Sequence, residues 1–482
     1  MSRLLFSHSY FYRFDPKQWK AQQPYPPLAT IQAAAVMRES GHTVSLFDTN
    51  LCIDPSEVRQ ALNNFKPEYF IIYDDGFNYL TKMCLTNMRD AAFAMAKFAH
   101  EHGAIVIVNS SDSTDRYQEY LDQHVDYVVK GEGENTVLCL VNALADNANP
   151  DTIDGIVFRR DGETISTAAR PVMKDLDALP IPAWDLVDIQ QYKDIWLSAY
   201  GYFSLNLATT RGCPFKCNWC AKPIYGNRYN SRSPEHVVRE IEFLIENYAP
   251  DHFWMCDDIF GLKPGWIQAF RNKVKERNLN FRYKIQSRVD LLLQDDTVAA
   301  LAECGAQTVW VGAESGSQHI LDAMDKGTTV EQIEEATKLL RAKNIRVGFF
   351  LQFGYPGETQ ADIDKTIDMV LKLMPDEIGI SVSYPLPGTK FYEKVKDQLS
   401  AKQNWSDSDD LSMMYRGTYP PSFYKILHRY VHNRYSIERG KSAMRSPGKK
   451  NSLRHIAALG LHIPMAMVRG YRMKSIVRSH AK

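Results

Sequence analysis

Along most of this chain, short runs of β-branched and aromatic residues alternate with longer amphipathic stretches, and that alternation admits few folds. Between residues 1 and 145 the runs are 4–6, 43–47, 69–73, 104–108 and 126–129, separated by helical patterns over 29–40, 55–64 and 80–102. Gly41 and Gly103 stand just past two of these helices, where a residue tolerant of left-handed backbone ends a helix. Strand–helix–strand units of this length make crossover connections, so the expectation is an α/β fold with a doubly wound, Rossmann-like parallel sheet. Ligands on such sheets gather beyond the carboxyl ends of the strands, here near 7–10, 74–78, 109–114 and 131–134. From Phe203 to about Leu399 the alternation resumes on a longer period, with strand candidates at 204–209, 252–256, 283–287, 308–312, 346–353 and 377–382. Ser233-Pro-Glu is a good helix start, and a second helix over 296–304 is stopped by Gly305. Residues 146–200 read as a connector, with a hairpin around Asp161-Gly162 and then Leu179-Pro-Ile-Pro-Ala-Trp-Asp185, whose prolines predict an extended crossing. The expected organisation is therefore a first domain over 1–145, the connector over 146–200, a second α/β domain over 201–400 and a basic helical extension over 401–482.

One loop stands apart chemically. Arg211-Gly-Cys-Pro-Phe-Lys-Cys-Asn-Trp-Cys220 follows the strand at 204–209 and sets Cys213, Cys217 and Cys220 in C-x3-C-x2-C spacing. Thiolates are the ligands of iron–sulfur clusters and of structural zinc. A four-iron cluster on three cysteines keeps one iron open to a non-protein ligand, which points to a reactive site. Zinc takes four ligands, usually in paired motifs, and His236, His252 and Cys256 form no such pair. A zinc-stabilised protein that binds nucleic acid or membrane stays as the alternative of a different class. Cys52, Cys84, Cys139 and Cys304 have no partners at ligand spacing and read as small buried hydrophobes, while Cys256 closes the second strand of its series beside Asp257. Eight unevenly scattered cysteines make no disulfide framework and argue for a reducing compartment. With an opening that reads as a buried strand, the expected location is cytoplasmic.

The cysteine loop, including Trp219 before its last thiol, resembles the cluster loop of the radical S-adenosylmethionine (SAM) enzymes. That resemblance implies a partial (β/α)6 barrel over 201–400 and a 4Fe-4S cluster on Cys213, Cys217 and Cys220. It also implies SAM bound through its methionine part and reductively cleaved to a 5′-deoxyadenosyl radical, which attacks an unactivated C–H bond of a small-molecule substrate. The electron would come from a flavodoxin- or ferredoxin-type donor. On the same footing Glu314, with Ser315 beside it in Val311-Gly-Ala-Glu-Ser-Gly316, matches an acid that accepts hydrogen bonds from the SAM ribose. Arg288 matches a partner for the methionine carboxylate, with a structural ion pair to Asp290 or Asp257 as the other reading. Asp257 and Asp258 follow the second strand, where the family places groups near the methionine amine. Gly354-Tyr-Pro-Gly-Glu-Thr359 looks like the family's turn after the fifth strand. The resemblance assigns no catalytic residue.

Three stretches of the first domain are similar to the cobalamin-binding domains fused ahead of many radical SAM enzymes. They are Tyr25-Pro-Pro-Leu, the helix ending Arg38-Glu-Ser-Gly-His-Thr-Val, and Val129-Lys-Gly-Glu-Gly-Glu134. Two departures weigh against a simple transfer. The D-x-H-x-x-G motif is missing, since Asp122-Gln-His124 precedes the last strand and lacks the glycine; and Asn109-Ser-Ser-Asp112 stands where relatives often carry Gly-Gly-x-His. With cobalamin bound, the implied reaction is methyl transfer to an apolar or secondary-metabolite substrate. Without it, a cyclisation, oxidation or rearrangement is implied.

Net charge is zero but unevenly spread. From Arg416 onward there are 15 Lys/Arg and one acid, Glu438, which leaves 42 basic against 56 acidic residues in the rest. Within this basic segment, residues 455–468 carry no formal charge and are too few to span a bilayer. Two readings stand side by side: a helix lying in a membrane interface, with a lipid-like substrate, or a helix packed on the barrel. Nucleic acid is disfavoured because no recognition module accompanies the charge.

Overall fold

The computed structural model describes residues 1–294, 296–445 and 452–480. Both expected strand series are present. The first forms a seven-stranded sheet from β1 (Arg3–Ser7), β2 (Thr43–Phe47), β3 (Tyr69–Tyr73), β4 (Ile105–Asn109), β5 (Tyr127–Val129), β6 (Ile156–Arg160) and β7 (Glu163–Ser166), in the order β2-β1-β3-β4-β5-β6-β7. Strands β1 to β5 pair in parallel, and β6 and β7 add an antiparallel hairpin. The hairpin expected around Asp161-Gly162 therefore extends the first sheet beyond residue 145. All five residues of β3 are buried, as a central strand covered on both faces requires. On one face the Thr86–Glu101 helix turns Ala91, Ala92, Met95, Ala96 and Ala99 onto Phe70, Ile72, Val106 and Val108.

The second series consists of β8 (Ser204–Leu207), a short β9–β10 ladder (Thr210–Arg211 with Asn230–Ser231), then β11 (His252–Met255), β12 (Arg282–Ser287), β13 (Ala306–Glu314), β14 (Arg346–Phe353) and β15 (Glu377–Val382). Without the ladder they form a six-stranded sheet in sequence order, β8-β11-β12-β13-β14-β15, the half-barrel topology expected. By contact density the chain divides into two compact units. One holds Met1–Phe215, Ala221–Ile285 and Asn404–Asp410; the other holds Lys216–Cys220, Gln286–Gln403 and Leu411–Lys482. Within the first unit the Tyr25-Pro-Pro-Leu segment packs on the second sheet. Tyr25 donates to or accepts from Ser204 of β8 and packs on Trp196 and Trp254, and Pro26 accepts from Asn206.

Two expectations need correction, and a third holds. The helix expected over 80–102 is two, Tyr79–Lys82 and Thr86–Glu101, because Cys84 takes a left-handed φ of 54° and the Thr86 amide bonds to the Trp405 carbonyl instead of continuing a helix. The connector is extended only through its prolines; after Asp188 it forms the Ile189–Tyr200 helix, ended by Gly201 at φ 72°. The basic extension is mainly two helices, Pro421–Arg445 and Ser452–His480, paired antiparallel. Gly440 meets Leu459, Asn433 bonds to His462 and Gly470 meets Tyr430. Pro421–Arg445 in turn reaches the half-barrel, where the Tyr435 hydroxyl donates to the Pro375 carbonyl. Among the described residues no helix is long and apolar enough to cross a membrane.

Candidate active site

The cysteine loop leaves the half-barrel at the end of β8, and its neck is built by the residues just before Cys213. Thr209 and Thr210 each donate a backbone N–H and a hydroxyl to Asp257, which follows β11, with distances of 2.6–2.9 Å. Burial pushes the Asp257 carboxyl up to about 6, and these four donors pull against that rise. Arg211 then pairs with Asn230 across the β9–β10 ladder, closing the loop at its base. Gly212 sits at φ 78°, where a Cβ would lie 2.4 Å from the Arg228 carbonyl oxygen, so only glycine fits the turn into Cys213.

Arg211 is also the centre of a buried ion cluster that the sequence reading missed. Its guanidinium meets Glu132 and Glu134, with the Glu134 contact at 2.6 Å, and lies over the Tyr225 ring. Both carboxylates belong to the Lys130-Gly-Glu-Gly-Glu134 run after β5. Burial raises the Glu132 carboxyl, the opposed charge of Arg211 lowers it, and the net direction is up. The pattern of two acids in a Gly-Glu-Gly-Glu turn, and an arginine before the first cysteine, was the available signal.

Farther round the loop Cys217 and Cys220 flank a residue held on all sides. Asn218 Nδ2 donates to the Ala323 carbonyl at 2.7 Å, and its Oδ1 accepts from the Tyr355 hydroxyl at 2.8 Å. Its backbone N–H donates to Met324 and its carbonyl accepts from Phe391. Cys213 is buried, Cys217 and Cys220 half-buried, and the indole Nε1 of Trp219 is buried without a hydrogen-bond partner. An orphaned donor between cluster cysteines fits a site that receives a polar ligand. Among the described residues no three His, Cys, Asp or Glu side chains are grouped tightly enough to hold a single metal ion.

Of the other expected site residues, Glu314 and Arg288 are joined in one chain of contacts. Glu314 ends β13 in a left-handed conformation, φ 55°, and accepts from Lys326 Nζ at 2.8 Å. Gly312 leaves the room this pair needs, since a Cβ there would lie 2.4 Å from Lys326 Nζ. Lys326 gives its backbone carbonyl to Arg288 at 2.9 Å, and Arg288 forks onto both oxygens of Asp290 at 3.0 and 3.1 Å. Of the two readings of Arg288, the ion pair with Asp290 is therefore present. Ser315 turns away to Thr366 and to the Ser317 amide. Asp258 takes Lys82 as its partner, and the buried Cys256 thiol donates to the Leu207 carbonyl. Lys326 had no sequence signal, lying twelve residues beyond its partner in the connection between the Gln318–Ala323 and Val330–Ala342 helices.

At the carboxyl edge of the seven-stranded sheet, three buried polar atoms have no protein partner: Tyr10 Oη, Ser111 Oγ and Glu134 Oε2. They fit a large ligand with many amide groups, which is the chemistry of a corrinoid rim. The Asn109-Ser-Ser-Asp112 run is otherwise occupied: Asn109 Nδ2 donates to the Val129 and Gly131 carbonyls, Ser110 caps the next helix, and Asp112 receives Arg89 and Tyr120. The imidazole at this edge, His8, gives its ring nitrogens to Asp48 and Thr49, and His124 is exposed at a helix end. A narrow cleft beside it, lined by Leu28, Gln32, Phe77, Thr210 and Arg211, is wide enough for water alone.

Comparison with known proteins places these features. Residues 207–370 match the sequence profile of the radical SAM superfamily. The chain is 28% identical over 389 residues to an uncharacterised methyltransferase, PH0819, of Pyrococcus horikoshii, covering 79% of this chain and 81% of that one. It is 25% identical over 378 residues to an anaerobic magnesium-protoporphyrin IX monomethyl ester cyclase of Synechocystis, covering 77% and 73%. The fold is similar to that of OxsB, a cobalamin-dependent SAM radical enzyme solved with aqua-cobalamin, at a TM-score of 0.76 and 16% identity over 98% of this chain and 72% of that one. Residues 207–370 therefore form a radical SAM domain, which follows a doubly wound α/β domain in the chain.

Proposed function

We propose that the protein is a cobalamin-dependent radical SAM methyltransferase acting on an unactivated carbon of an apolar or secondary-metabolite substrate. The observation that carries this reading is the Cys213–Cys217–Cys220 loop. Its neck is tied by Asp257 and Arg211, its turn is pinned at Asn218, and it offers three thiolates with an orphaned indole donor beside them. The three thiolates would hold a 4Fe-4S cluster. Glu314, set by Lys326, would accept from the SAM ribose, and the unpartnered Trp219 Nε1 would donate to the bound cofactor. When bound, the cluster supplies the electron that cleaves SAM, and cobalamin supplies the methyl group. Tyr10, Ser111 and Glu134 would pair with the corrinoid's amides, and the adjoining cleft would have to widen to admit it. The name of the Pyrococcus relative supports methyl transfer across most of the chain. Electrons would come from a flavodoxin- or ferredoxin-type protein.

The second reading is radical cyclisation or oxidation without cobalamin, and the similarity to the Synechocystis cyclase supports the cyclisation part of it alone. Anaerobic reconstitution with iron, sulfide and hydroxocobalamin, followed by metal analysis, separates the two. About four irons per chain, lost in Cys217→Ala, with stoichiometric cobalt, is the expected result. Iron without cobalt would move the assignment to the cyclase type, and zinc without iron would end both.

A further inference from the structure

The inward side of the Ser452–His480 helix is well packed: Ala466 and Met473 are buried and His462 bonds to Asn433. Its outward side is not what water selects. Met467 is 71% exposed, Tyr471 76%, Leu461 60% and Val468 54%, with Ile463 also exposed. At 100° per residue Ile463, Met467 and Tyr471 form one line along the helix, and Lys474 and Arg478 continue it. Leu461, Pro464 and Val468 form the neighbouring line, continued by Arg472. The helix thus shows an apolar patch followed, on the same side, by three cations. Contiguous apolar exposure of this kind marks an interaction surface.

Charge decides the occupant. From Arg416 onward the single acid, Glu438, is already paired with Lys441, so the surface is uncompensated and positive. A second copy of the chain would bring like charge against like. Nucleic acid would satisfy the cations but leave Leu461, Met467 and Val468 against water. A surface that offers hydrocarbon beneath a layer of phosphates satisfies both halves. We propose that the outward face of the C-terminal helix docks the protein on an anionic lipid bilayer, with Leu461, Ile463, Met467, Val468 and Tyr471 in the headgroup–acyl boundary and Arg472, Lys474 and Arg478 on lipid phosphates.

The test is co-sedimentation of the full chain with phosphatidylcholine vesicles that contain or lack phosphatidylglycerol. Binding is expected with phosphatidylglycerol, falling as salt rises and vanishing without the anionic lipid. Met467→Ser/Tyr471→Ser should weaken it about tenfold or more, and Arg472→Ser/Lys474→Ser/Arg478→Ser at least as much. Because these side chains are exposed, thermal melts of both variants should match the parent. No binding to anionic vesicles, or binding that both variants retain, overturns the proposal. So does a parent dimer in analytical ultracentrifugation that Met467→Ser/Tyr471→Ser dissolves, which would assign the face to a second copy.

Discussion

Replacing Arg211 by methionine tests how the cysteine loop is held. The guanidinium sits between Glu132 and Glu134, whose side chains are 9% and 1% exposed, and methionine keeps most of the volume while removing the charge. Two carboxylates are then left buried and facing each other without a cation. Breaking a buried ion pair from one side costs about 3–5 kcal/mol. With an unfolding entropy of about 2.1 cal/mol/K per residue, the unit that contains Met1–Phe215 and Ala221–Ile285 should melt about 5–8 °C lower. The loss should depend on pH. Without Arg211 the Glu132 carboxyl, which burial already raises, loses the opposed charge that lowers it, so stability is lost as pH rises and recovered as it falls. The deficit should therefore be larger at about pH 8 than at about pH 5.5. The triple variant Arg211→Met/Glu132→Gln/Glu134→Gln removes all three charges and should recover most of the loss, since a complete buried network replaced by neutral groups is often near neutral. Urea and thermal unfolding under anaerobic conditions measure both. A single-variant loss below about 1 kcal/mol, or a triple variant no more stable than the single, would refute the argument that this cluster is a desolvated ion network.

Three further outcomes follow from the site's geometry. Gly212→Ala forces a Cβ against the Arg228 carbonyl at φ 78° and should cost about 2–4 kcal/mol, with iron incorporation after reconstitution reduced in proportion. Asn218→Ala removes the bonds to the Ala323 carbonyl and from the Tyr355 hydroxyl, which still bond to each other, so it should cost only about 0.5–1.5 kcal/mol per bond lost, and a chelator should strip iron from it faster than from the parent. Burial pushes Glu358 from 4.5 up to about 8, so it favours the folded state when protonated and withdraws that support as pH rises from about 4.5 to 8. Glu358→Gln should flatten that part of the stability–pH profile, and a slope unchanged in urea unfolding would assign it to other groups.

The alternation of apolar runs and amphipathic stretches was enough to predict both sheets, because side-chain period is a local property that each element carries in its own sequence. The cysteine loop was legible for the same reason, as three thiols within eight residues make their own argument. Breaks inside elements were less visible. The division of 80–102 depends on the Thr86 amide bonding to Trp405, which no local pattern encodes. The same holds for what surrounds the site. Glu314 and Arg288 could be singled out, yet Lys326, which joins them, could not. Nor could Arg211's partners after β5, or the contacts of Asn218 with Ala323 and Tyr355, more than a hundred residues away. Sequence by itself therefore determined the order of elements and the thiols that can bind iron. Tertiary structure alone decided which buried charge neutralises which, because a desolvated carboxylate or guanidinium is stable only beside its counter-charge, and folding brings that counter-charge from anywhere in the chain.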